Sequence, residues 1–389
     1  MDTSNRSIVD VRQSMLPFGR TMPSPLYNLT QRALTWATGK ALPGQRPIKG
    51  GLSPWAHLAM MLVMLFAGAA TSIALWRAGG WYLVLVLGSV GLTLSASRTL
   101  WLMDLHAAAH GSFSKSRWAN KLVGDTVSLV LMVLPHSKYR QSHCADHHSP
   151  KTFCSADKDP DGSFLCWMGL APATPKQNLW RRLLLGLISP RVHLTFLAAR
   201  LKSNLFSSGW RRSLVSVFYL AVLACIPARY GWTAFFISWL LPIAFLYQVS
   251  AIVGWAGEHT WFAAKTDDME AWHNARTHAR FFGLPFPDNS SLARLWWIIR
   301  MFGEVIVRAL IVPGDLANHD WHHRHPSSRD WPWAAYARQD AIEGGESYSL
   351  ETWGLIQAID RGLTSIAAQK PLREEGPRTL EAMSAFGTM

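Results

Sequence analysis

Four long apolar runs, arranged as two pairs, constrain this chain more than any other feature. The first extends from His57 to Trp76 with no charge inside it. The second starts at Trp81, stays uncharged to Ser97, and continues through Arg98 to Asp104 and His106. Only Arg77-Ala78-Gly79-Gly80 separates them. Leu214–Ala228 and Thr233–Gly254 repeat the arrangement around Ala228-Arg229-Tyr230-Gly231. A helix crosses the roughly 30 Å hydrocarbon core with about 20 apolar residues. The runs predict an all-α integral membrane protein with four transmembrane helices in two hairpins, because helices satisfy their own backbone hydrogen bonds in lipid.

Short turns leave both outer ends of each hairpin on one side. Loops 111–212 and 255–389 then share that side with the N-terminus. They carry nearly all the Lys and Arg of a chain whose net charge is +13, whereas the hairpin turns hold Arg77 and Arg229. The positive-inside rule makes the shared side cytoplasmic, which predicts a multi-pass protein of a bacterial inner membrane with both termini in the cytoplasm. Twenty Trp suit an aromatic belt at the headgroups. The positive charge is read as contact with anionic lipid, with no nucleic acid as partner. Residues 1–54 form a cytoplasmic lead-in, 55–335 the membrane domain, and 336–389 a cytoplasmic tail, weakly ordered from about 365. Leu122–Leu134 is too short to span and is broken by Asp125. Residues 183–212 read as surface helices. In Leu292–Val312, Arg300, Glu304 and Arg308 share a helical face, so this too is an interfacial helix.

The polar loops concentrate histidine. Box one is His106-Ala-Ala-Ala-His110, whose i, i+4 spacing puts both imidazoles on one helix face. Box two is His143-Cys-Ala-Asp-His147-His148, and box three is His319-Asp-Trp-His322-His323. In both, the leading His returns to the side of a later pair after about one turn. Glu258-His259 ends the fourth run as box one ends the second, which adds His259 as a ninth ligand. Imidazole suits Fe, Zn, Cu and Ni, and ligand count alone does not separate iron from zinc. A closed structural zinc site needs four ligands; nine imidazoles suffice for two ions. Asp146, Asp157, Asp159, Asp161, Glu258, Asn318 and Asp320 are placed to orient imidazole N–H groups. His57, His136, His193, His273, His278 and His325 are read as lying outside the ligand set. None of the four cysteines forms a CxxC pair, so a zinc ribbon is not expected.

The spacing of the three boxes resembles that of the membrane fatty-acid desaturase and hydroxylase superfamily. Asp159-Pro160-Asp161 after box two is similar to that family's DPD or DPE. Glu258-His259 and Ala275-Arg276-Thr277 resemble its EH and RT elements. The resemblance implies a mushroom-like four-span fold with a histidine-rich cytoplasmic cap, holding two Fe ions that use O2. It also implies a fatty acid or acyl-thioester substrate and a soluble electron-transfer protein, ferredoxin- or rubredoxin-like with its reductase. Breaking an unactivated C–H bond is beyond side-chain acids and bases and calls for such a metal cofactor. Desaturation is the first reading; hydroxylation and oxidative decarboxylation of a free fatty acid to a terminal 1-alkene share its first step. Lys138, Arg140 and Arg276 are candidates for the substrate head group. A membrane metal-binding or transport protein is the reading from another class, and it would want ionisable residues inside the spans.

Overall fold

The computed structural model describes residues 10–48, 51–263, 268–287, 290–348 and 350–371. Each apolar run forms one helix long enough to cross a membrane: Pro54–Ala78, Tyr82–His110, Trp210–Tyr230 and Trp232–Ala256. The first span starts where the Ser53 side chain accepts a hydrogen bond from the Ala56 N–H, with Pro54 at the first helical position. It ends at Gly79, which has positive φ and turns the chain into the second span. A Cβ on Gly68 would lie 2.5 Å from Thr93 Oγ1, so glycine lets these two helices touch. The second and fourth spans are half buried, whereas only 6% of the third span's apolar window is covered. The third span therefore stands at the outside, facing lipid.

Two spans depart from α geometry. The second winds as a π-helix over Leu100–Leu105 before resuming α geometry at His106–His110. The fourth does so over Phe236–Leu246, around Pro242. π-turns are rare and concentrate at functional sites, since each one shifts the side-chain register by a residue.

Arg117–Val130 and Ser291–Leu310 are amphipathic helices, as the sequence predicts. On the latter, Leu292, Leu295, Trp296, Ile299 and Phe302 are exposed, whereas Trp297 and Met301 are buried. Arg308 leaves the charged face assigned to it. It is buried and donates to the carbonyls of Val312 and Gly314, just beyond the helix C-terminus. The surface segment resolves into Lys176–Ile188 and Pro190–Leu205, bent by 61° at Ser189; together they are apolar enough for a broken or re-entrant span.

The described parts of both terminal regions pack onto the membrane domain. Helix Ser24–Thr38 packs against Ser291–Leu310, and Lys40 Nζ bonds Glu351 at 2.6 Å. Strand β1 (Ala279–Phe281) pairs in parallel with β2 (Glu351–Trp353). Helix Leu355–Ala368 buries Ile359, Leu363 and Ile366 in the main core. These contacts were hidden in a polar composition, because short strands and one amphipathic helix leave little hydropathy signal. The remainder of the expected weakly ordered end, from 372, lies outside the described residues.

Candidate metal centre

Nine histidines, from four places in the sequence, converge at the ends of the second and fourth spans. His106 and His110 end the second span, with ring centroids 4.9 Å apart. Box two follows helix His136–Arg140 and sits on a π-helical stretch, Gln141–His147. A Cβ on Gly124 would lie 2.2 Å from His136 Cδ2, so helix Arg117–Val130 holds the start of this segment at close range. Box three forms the helix His319–Arg324, and His259 follows the fourth span.

The structure divides every later box between two groups. One contains His106, His110, His143, His148 and His322; the other contains His147, His259, His319 and His323. In box two the π-turn is responsible. The His148 N–H bonds the His143 carbonyl, five residues back, and the two Nε2 atoms lie 3.2 Å apart. His147 projects elsewhere, with Nε2 3.3 Å from that of His259. In box three the α-helical pair His319 and His323 meet at 3.0 Å, and His322 reaches His106 at 2.7 Å.

These separations fit metal coordination. Two nitrogens about 2.1 Å from one ion and at right angles are roughly 3.0 Å apart. His110 Nε2 is buried with no hydrogen-bond partner, although its ring lies among those of its group. Burial, reinforced by the neighbouring rings, holds His143, His148, His259, His319, His322 and His323 well below the usual histidine range. Neutral imidazole is the form that binds a metal. His147 is the exception: burial lowers its pKa, but Asp159 and Asp161 outweigh that and push it up to about 9.

Among the carboxylates proposed to orient imidazoles, Asp159 and Asp161 reach His147. Asp159 accepts from His147 Nδ1 at 3.0 Å and from the backbone N–H groups of Cys154 and Asp161. Asp161 lies 3.4 Å from the same Nδ1. Glu258 approaches from the metal-facing side, 3.2 Å from His319 Nε2 and 3.7 Å from Arg280. Burial pushes its carboxyl up, against the pull of Arg280. The others turn away. Asp320 pairs with Arg338, Asn318 donates to the Gly39 carbonyl, Asp157 bonds Ser155, and the Asp146 carbonyl accepts from Thr152. Cys144 lies 3.6 Å from His110 Nδ1, and burial pushes its thiol up to about 12, which keeps it protonated. His193 is spent on Gln248 and the Leu187 carbonyl.

A small cavity of about 30 Å³ adjoins the imidazoles on the side of the spans, walled by Trp101, Tyr139, Trp255, Glu258 and Arg98. The sequence reading missed Arg98, which looked like an incidental charge in an apolar run. Of the predicted head-group residues, Arg140 is exposed and Lys138 half-buried, whereas Arg276 is buried and bonds the carbonyls of Trp272 and Ala263. None of the three lines this cavity. A larger apolar hollow of about 570 Å³ opens beside the first two spans and reaches Met103 and Asn318.

Fold and site define an integral membrane protein with a histidine-rich cluster able to hold metal ions. A family model for fatty acid desaturases matches residues 81–287, slightly more than half of the 389 residues, and the chain belongs to that family. It is thus a membrane-bound, iron-binding oxidoreductase that modifies fatty-acid-related substrates. The match includes boxes one and two and His259 and stops before box three, which the fold brings to the others. No curated protein and no solved structure matches the chain.

Proposed function

We propose that the nine histidines hold two irons, five imidazoles to one and four to the other, and that the protein is an O2-dependent desaturase of fatty acyl chains. The observation that carries this reading is the division of nine imidazoles, six buried and three half-buried, into two compact groups. Two irons held by these residues would supply the O2 chemistry needed for C–H cleavage. The chain's own residues do the rest. Asp159 fixes the His147 ring and its tautomer. The wall of Trp101, Tyr139 and Trp255 keeps bulk water from the centre. The 570 Å³ hollow has the size and apolarity for an acyl chain, and positioning one carbon beside the centre is the largest task left to the protein. Electrons come from a soluble ferredoxin- or rubredoxin-like protein docking on a cytoplasmic, basic cap.

Arg98 favours a second reading, oxidative decarboxylation of a free fatty acid to a terminal alkene, because it places a cation beside the centre. Purified protein is assayed for iron, then supplied with a reductant, air and a panel of fatty acids and thioesters, with products read by mass spectrometry. About two irons per chain and an unsaturated acid or thioester of unchanged chain length support the desaturase. An alkene one carbon shorter establishes the second reading, and a hydroxylated chain refutes both. Bound metal without oxygen consumption sinks the oxidase altogether.

A further inference from the structure

Arg98 is 97% buried in the second span, at 3% exposure. Among the described residues it forms no ion pair, and its Nε has no hydrogen-bond partner. Its guanidinium packs over the Tyr247 ring at 5.2 Å. Arg200 packs on the same ring at 5.1 Å but is satisfied by the carbonyls of Leu131, Met132 and Ile243. A buried, uncompensated charge costs several kcal/mol. Ionisable groups inside spans are retained chiefly where they act on a ligand.

We propose that Arg98 anchors the carboxylate of a free fatty acid, which binds head-in with its carboxyl end against the metal centre. Arg98 lines the same small cavity as His106, His143 and His147. The two acids in that cavity are engaged elsewhere, Glu258 with His319 and Arg280, and Asp161 beside His147. Glu258 attracts the Arg98 guanidinium without forming an ion pair with it, so Arg98 has no paired carboxylate among the described residues. A guanidinium fork matches a carboxylate with two parallel charge-assisted hydrogen bonds. A thioester carries no charge at its first carbon, and its carrier group is far larger than the cavity. Arg98 and His106 are eight positions apart, roughly 12 Å along the helix axis at most. A carboxylate on Arg98 therefore leaves only the first few carbons level with the imidazoles. Leu102 and Leu316 line this cavity, and their chain neighbours Met103 and Asp315 line the large hollow, so these residues stand between the two spaces.

The proposal specifies the substrate for the oxidase reading and rests on it for the reaction, but binding tests it separately. Labelled dodecanoate and its methyl ester are titrated into the iron-loaded, full-length protein at pH 8. The acid is expected to bind at least about 10-fold tighter than the ester, the scale of one charged hydrogen bond. Arg98→Met should erase that preference with iron content unchanged, and Arg98→Lys should keep part of it. Equal binding of acid and ester by the wild type overturns the proposal, whatever the variants do. So does an Arg98→Met protein that keeps both its iron and its preference. A wild type that prefers the acid yet never oxidises it overturns the oxidase reading and leaves the Arg98 assignment standing.

Discussion

Asp159 offers the sharpest test of how the centre is built, because one side chain has two separable roles. Its carboxylate caps helix Pro160–Trp167 through the Asp161 N–H and satisfies the buried Cys154 N–H. It also holds His147 Nδ1 through both oxygens, at 3.1 and 3.0 Å. Asp159→Ala loses a cap worth about 1 kcal/mol. It also orphans the Cys154 N–H, at a cost of about 1–3 kcal/mol. The expected total is about 2–4 kcal/mol, with a clear drop in melting temperature. Freeing the imidazole should weaken iron binding in the four-histidine group by about 10–100-fold. Asp159→Asn keeps an acceptor for the backbone but loses the charge facing His147. It should melt close to the wild type and still bind the second iron weakly. Melting in detergent and iron titration followed by elemental analysis measure the two effects apart. Wild-type iron affinity in both variants would refute the assigned orientation of His147, even if stability fell as expected.

Other variants follow from the same geometry. His147→Ala should lose the ion of the four-histidine group and His322→Ala that of the five-histidine group, each leaving about half the iron and no turnover. His193→Ala should retain iron and activity, since both ring nitrogens bond the fold and none faces the centre. Asp315 supplies a pH test. Burial pushes its carboxyl from 3.8 up to about 7, against Arg308. A folded-state pKa above the unfolded one means its contribution is intact below about 3.8 and is lost as pH rises through about 7. Asp315→Asn should therefore melt like the wild type in acid and higher than it at pH 8, and equal melting at both pH values would count against this.

The spans were legible because hydropathy over 20 residues is a strong signal, and the hairpins because their turns are so short. Box one was legible too: two histidines on an α-helix with alanine between them leave one geometry. Box two was not, since the sequence gives no sign of the π-turn that pairs His143 with His148 and sends His147 to the other group. Asp159 was one of seven candidates for orienting imidazoles, and only the resemblance of Asp159-Pro160-Asp161 to a family element set it apart. Asp320 and Asn318 sit beside box three in sequence, yet helical geometry turns them toward Arg338 and Gly39. Arg98 was read as part of a span, for whether a charge has a partner is decided only in three dimensions.

Dividing the boxes between two groups also sets when the centre can exist. His106 and His322 are 216 residues apart, and His147 and His259 are 112 apart. The five-histidine group lacks a member until His322 has been synthesised, and the other until His323 has. By then both hairpins have left the ribosome. Loop closure grows only logarithmically with length, so waiting adds little entropy cost once the hairpins are in place. Completion of both groups would thus be a late event in the life of each molecule, and a chain stalled before box three would lack His322 from one group and His319 and His323 from the other.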